Sequence, residues 1–92
     1  MKVSARFHGI LADWVGTRSA GFELPHGAIY ADLIKEIGRR FRKNMPDQLW
    51  DGQKNTFHHK VLGVKANKPV QSAEHPLTDG DVLTFFLMLA GG

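Results

Sequence analysis

Only one stretch of this chain carries a helical period, and that limits the folds open to it. Tyr30, Leu33, Ile34, Ile37 and Phe41 recur at i, i+3, i+4, i+7 and i+11, which predicts one amphipathic helix over 29–42. The remaining apolar residues come with period two or in short blocks. Val3, Ala5 and Phe7 alternate with Lys2, Ser4, Arg6 and His8, a first strand with one buried face. A second strand is predicted over 20–24 with Phe22 and Leu24 inward. The two strands form a hairpin with a long connection, beneath which Leu11, Trp14 and Val15 pack. A third strand over 59–66 is interrupted by Gly63, and 69–71 reads as a short edge strand where a proline is tolerated. The apolar run 82–88 predicts a last, central strand covered on both sides. Between these elements, 44–56 is a polar surface connection anchored by Leu49 and Trp50, and 76–81 is a tight turn.

One helix laid across a mixed sheet of four to five strands is the economical way to bury these stripes, so the fold class is α+β. With 92 residues the chain forms a single domain, 1–92, with a flexible tail from about residue 88. Two features weaken the helix. Ile29 stands at the cap position and has no side-chain acceptor. Gly38 lowers helix propensity, so the helix is expected to fray there.

Several function classes are disfavoured. The chain has no cysteine, hence no disulfide framework, no thiolate nucleophile and no cysteine-bound metal. His58 and His59 are adjacent, and in a strand they point to opposite faces and cannot share a metal. Asp79 and Asp81 flank Gly80, a pattern that a reverse turn explains without acid–base chemistry. There is no glycine-rich phosphate loop and no Ser-His-Asp spacing, so neither a stand-alone catalyst nor a cofactor site is expected. The formal charge is +3, and its densest cluster is Lys35, Arg39, Arg40, Arg42 and Lys43. That cluster lacks interleaved aromatics for stacking bases and reads as a solvated helix face, not a nucleic-acid site. The longest apolar run, 82–90, falls short of the ~20 residues that span a bilayer. The alternating N-terminus lacks the apolar block of a signal peptide, so the expected location is cytoplasmic, with no membrane partner.

The sequence closes on Leu87-Met88-Leu89-Ala90-Gly91-Gly92, a strand running out into two glycines and a carboxylate. A carboxylate is a poor acyl electrophile until it is phosphorylated or adenylated. An activating enzyme would draw it into a narrow channel, where glycine offers no obstructing side chain and a wide choice of dihedrals. Gly92, with Gly91 before it, is therefore the candidate reacting group.

The stretch His75-Pro76-Leu77-Thr78-Asp79-Gly80-Asp81, then Phe85-Phe86 and Ala90-Gly91-Gly92, resembles the small subunit of molybdopterin synthase and the related thiamine sulfur carriers. The resemblance extends to the first strand through Gly16, and to Leu24-Pro25-His26-Gly27 leading into Ala31-Asp32-Leu33. The length is closer to the molybdopterin branch. This chain departs from the family in having Leu87-Met88 where Pro-Pro is common, Ile29 in place of a helix-capping Thr, and a longer, more polar segment over 42–59.

The resemblance implies a ubiquitin-like β-grasp fold with the first and last strands side by side. It also implies that an E1-like adenylyltransferase, using its own ATP and magnesium, adenylates Gly92. A persulfide donor then makes the thiocarboxylate, and the large molybdopterin synthase subunit or another acceptor receives the sulfur. Conjugation of Gly92 to lysines, as a protein modifier, and an inert binding module are the alternatives. If Phe7 and Phe85 point inward, alternation sends His8 and Phe86 outward, with Arg6 and Met88 beside them and Leu89 next along the chain. Arg6, His8, Phe86, Met88 and Leu89 are thus the candidate partner-binding residues. The competing expectation is that the chain's own long loop covers this face.

Overall fold

The computed structural model describes residues 1–88. The chain runs β1 (Lys2–Phe7), α1 (Gly9–Val15), β2 (Ser19–Glu23), α2 (Tyr30–Phe41), a 3-10 turn (Arg42–Asn44), β3 (Trp50–Asp51), β4 (Thr56–Phe57), β5 (Val61–Lys65), β6 (Lys68–Pro69) and β7 (Val82–Leu87). Five strands form one mixed sheet in the order β2-β1-β7-β5-β6, and β3 and β4 form a separate two-stranded ladder. The first and last strands are central neighbours and parallel, with Phe7 opposite Phe85, while β2 and β5 flank them antiparallel. Parallel strands need a long crossover, and everything between β1 and β7 supplies it.

The inward-facing residues are those the alternation predicts. Val3, Ala5, Phe7, Phe22, Leu83 and Phe85 are buried beneath the α2 stripe of Leu33, Ile34 and Ile37. Phe85 is fully buried, its ring within 5.9 Å of Phe7, 6.2 Å of Tyr30 and 5.4 Å of Phe57, measured between centroids. Burial pushes the Tyr30 hydroxyl up to about 12. The ring has room because Gly63, opposite Phe85 on β5, carries no Cβ to collide with the Tyr30 hydroxyl. Gly63 therefore does not interrupt β5. It makes space for the ring.

The start of α2 is satisfied from a distance. Ile29 has no side-chain acceptor, yet the Asp32 carboxylate accepts from the Ile29 N–H at 2.8 Å, half of a capping box. The Tyr30 and Ala31 N–H groups donate to the backbone carbonyls of His75 (2.8 Å) and Ala73 (2.9 Å). Two donors that a helix start leaves orphaned are thus paired by the segment leading into β7. Gly38 does not fray the helix, which continues to Phe41. Gly38 is buried, and a Cβ there would overlap the Trp50 ring, so the glycine lets the 44–56 segment clamp onto the helix.

Other expectations are corrected. The β1–β2 connection contains α1, whose Leu11 and Val15 are buried but whose Trp14 is 43% exposed and does not pack beneath the connection. Strand β7 is central but covered on one face only: Leu83 and Phe85 are buried, while Val82 is 43% exposed. His58 and His59 lie in the turn before β5, not in a strand, and their ring centroids stand 4.1 Å apart. The His58 Nδ1 atom accepts from the Lys60 N–H at 3.3 Å. Among the described residues, no helix is long and apolar enough to cross a membrane.

The 76–81 turn ties β1 to β5 beside the start of β7. Asp79 Oδ1 accepts from the Lys2 N–H (2.7 Å), and Asp81 accepts from the Thr78 N–H (2.8 Å), the Thr78 hydroxyl (2.9 Å) and the Lys65 ammonium (3.2 Å). Partial burial pushes the Asp81 carboxyl up, but the Thr78 hydrogen bonds and Lys65 outweigh it and hold the group below its ordinary range. A depressed folded-state pKa adds stability above the unfolded value, near 4, and loses it as pH falls through the folded value. Stability measured by urea unfolding should therefore fall on acidification below about pH 4, less so in Asp81→Asn than in the parent.

Candidate partner-docking face and tail exit

Strand register assembles the face. Arg6 lies opposite Thr84, and Thr84 opposite Val64, while Phe86 lies opposite Leu62. Paired residues share a face, so this row and the next form one surface opposite the core. His8 keeps an extended backbone (φ −111°, ψ 148°), continues the alternation past Phe7 and is exposed. Its N–H donates to the Phe85 carbonyl at 3.0 Å. Phe86, Leu62 and Val64 are half-buried, while Arg6 is exposed. Val82 and Met88, at 43% and 46% exposure, mark the two ends of β7.

Of the sequence-predicted residues, Arg6, His8, Phe86 and Met88 are therefore brought around the end of β7. Leu89, Gly91 and Gly92 lie outside the described residues, as does the 89–92 part of the predicted tail. Met88, where that tail was expected to begin, is anchored, its N–H donating to the Lys60 carbonyl at 2.8 Å. The long loop does not cover the face, because its Leu49 and Trp50 are buried against the helix side, with Trp50 over Gly38. Sequence reasoning missed Leu62 and Val64. Their signal was the cross-strand pairing with Phe86 and Thr84, which no single strand's pattern reveals. It also missed Arg18 and Asp13, which line a groove of about 610 Å³ with Arg6 and His8.

The basic cluster is partly engaged within the fold. Arg39 pairs with Glu36 at 2.6 Å, holding the Glu36 carboxyl below its ordinary range through that hydrogen bond. Arg40 lies 4.2 Å over the Phe22 ring and donates to the Gly21 carbonyl at 3.1 Å. The carboxylates of Asp79 and Asp81 are occupied in the turn, as the sequence pattern indicated.

Comparison with solved structures decides the fold. SAMP1 of Haloferax volcanii aligns over 100% of both chains with a TM-score of 0.83, at 14% identity. The chain is a ubiquitin-like β-grasp protein. A Pyrococcus furiosus protein described as molybdopterin converting factor subunit 1 aligns over 97% of this chain and 99% of its own, with a TM-score of 0.74 and 27% identity. The resemblance read from the C-terminal motif thus recurs among the neighbours of this β-grasp protein. A third similar structure is the complex of subunits 1 and 2 of the molybdopterin-converting factor from Helicobacter pylori, with a TM-score of 0.52 and 17% identity over 100% of both chains. No protein-family model matches the chain, and neither does any curated protein sequence.

Proposed function

We propose that this β-grasp protein is a sulfur carrier that reacts through the carboxylate of Gly92 in molybdopterin-type cofactor biosynthesis. The observation that carries the reading is the placement of β7. It is held on both sides by β1 and β5 and anchored through Met88, four residues before Gly92, beside a face of half-buried Phe86, Leu62 and Val64 with exposed Arg6 and His8 at its side. A rigid base and a short glycine-ended tail suit presentation of a carboxylate to another protein's active site. The 27% identity to a molybdopterin converting factor subunit over nearly the whole chain supports the pathway.

The chemistry is a series of exchanges at the same acyl group. An E1-like adenylyltransferase joins the Gly92 carboxylate to AMP and releases pyrophosphate, which converts a bad leaving group into a good one. A persulfide donor attacks the acyl carbon and expels AMP, and a thiol cleaves the resulting S–S bond to leave the thiocarboxylate. The thiocarboxylate sulfur then bonds to an acceptor molecule held by a partner such as the subunit 2 complexed with subunit 1 in the Helicobacter pylori structure, displacing a leaving group there, and water hydrolyses the resulting thioester to return the Gly92 carboxylate. Phe86, Met88, Arg6 and His8 serve as the docking surface, Phe86 as its aromatic anchor.

The test is intact mass after incubation with ATP, magnesium, the adenylyltransferase and a persulfide donor. The expected product is heavier by the difference between one sulfur and one oxygen atom. A chain that stays unchanged beside a demonstrably active enzyme sinks the reading. Ladders carrying Gly-Gly remnants on lysines would assign the chain to protein modification instead.

A further inference from the structure

Helix α1 presents two large apolar residues to solvent for no reason internal to the fold. Leu11 and Val15, one helical turn apart, are buried and pin the helix. Ile10 and Trp14, with the same spacing offset by one residue, are 52% and 43% exposed. The helix is held without them. Gly16, at φ 93°, closes it by donating to the Ala12 carbonyl at 2.8 Å, and the Asn44 side chain donates to the Val15 carbonyl at 3.2 Å. A helix face with no partner is ordinarily polar, and an exposed tryptophan beside an isoleucine marks a contact surface.

We propose that α1 is a second docking element for the adenylyltransferase that activates Gly92, with Trp14 as its anchor. This rests on the carrier reading and adds to it a helix surface that adjoins the open sheet face at Arg6 and His8. The reach of the tail argues for it. Four residues from Met88 to Gly92 extend about 14 Å at most, so any active site that closes on Gly92 stands against the surface around the end of β7. Helix α1 belongs to that surface. It begins directly after His8, whose N–H is bonded to the Phe85 carbonyl, and it packs against β7.

Charge defines the partner further. The groove between α1 and the β1–β2 strands holds Arg6, Arg18 and His8 against the single carboxylate of Asp13. The partner surface is therefore an apolar pocket for the Trp14 indole with an acidic rim facing Arg18 and Arg6. A second copy of the chain is a poorer occupant. A tryptophan buries on the order of 200 Å², far below the ~1,200 Å² of a stable interface, so α1 needs the larger surface of a partner that also covers the sheet face and the tail.

The experiment measures binding and pyrophosphate exchange with the purified E1-like adenylyltransferase of the same organism, alongside sedimentation of the chain alone. Trp14→Ala should weaken binding about ten-fold or more with an unchanged thermal midpoint, Trp14→Phe should recover most of the loss, and Arg18→Glu should flatten the salt dependence. Ile10→Ser, on the same face, serves if Trp14→Ala fails to fold. Parent-like binding by the folded α1 variants, while Phe86→Ala still weakens it, overturns the α1 proposal and leaves the carrier reading standing. A parent chain that supports no exchange at all removes the carrier reading itself. A parent chain that sediments as a dimer, made monomeric by Trp14→Ala, overturns the proposal in favour of self-association.

Discussion

Phe85→Ala is expected to remove about 3 to 5 kcal/mol of stability, the range for truncating a fully buried aromatic. The ring is the hub of the core: it lies between Phe7 on β1, Tyr30 at the start of α2 and Phe57 on β4, so its loss leaves a cavity bordered by three elements that cannot all relax into it. Their backbones are held in place, Phe7 by the β1–β7 ladder and Tyr30 by the His75 carbonyl. A 92-residue domain has about 5 to 14 kcal/mol in total, so the variant should survive with a much lower urea midpoint at nearly unchanged slope. Phe86, the next residue, faces the other way and is half-buried, and Phe86→Ala should cost far less. Equal losses at the two positions would contradict the assigned faces of β7.

The largest effect on function is expected from deleting Gly92. Sulfur transfer should cease, and the urea curve should superimpose on that of the parent, because the deletion removes no side chain. Deletion moves the reacting carboxylate back by about 3.5 Å, and misplacements of about 1 Å already cost on the order of a hundred-fold in positioned reactions. The anchored Met88 cannot advance to compensate without breaking its bond to the Lys60 carbonyl. Intact mass reads the result directly. A truncated chain that gains sulfur at the parent rate would show that the position of the last carboxylate does not matter, contrary to the proposed chemistry.

The parts of the fold that were legible in the sequence are those with long periods. The stripe from Tyr30 to Phe41 and the alternation of Val3, Ala5 and Phe7 each repeat often enough to identify an element and its buried face. Helix α1 escaped because seven residues beginning with a glycine, with no side-chain cap, give barely two turns of pattern. The β3–β4 ladder has two residues per strand, too few for any period. Gly38 was misread because propensity speaks of the isolated helix, whereas the Trp50 ring lying over it is a tertiary fact. The weakness at Ile29 was real but local, and carbonyls more than forty residues away repair it.

The geometry of the candidate site was only partly legible. Absence of cysteine together with the terminal diglycine directed attention to Gly92, and alternation gave Phe86 its outward face. The apolar run of β7 reads as double coverage because a half-open apolar face and a buried one have the same composition. Leu62, Val64 and the Arg18 groove depend on which strands become neighbours, and that is settled by the whole fold.

The parallel pairing of β1 with β7 also has a mechanical consequence. A partner that drew the tail into its active site would pull on β7 along its own length, across the perpendicular bonds that tie it to β5 and the slanted bonds that tie it to β1. Such a load is shared by both ladders at once and does not open them one bond at a time. Tension at the tail is then met at Met88 by a strand gripped from both sides, and the body of the protein follows as a rigid handle.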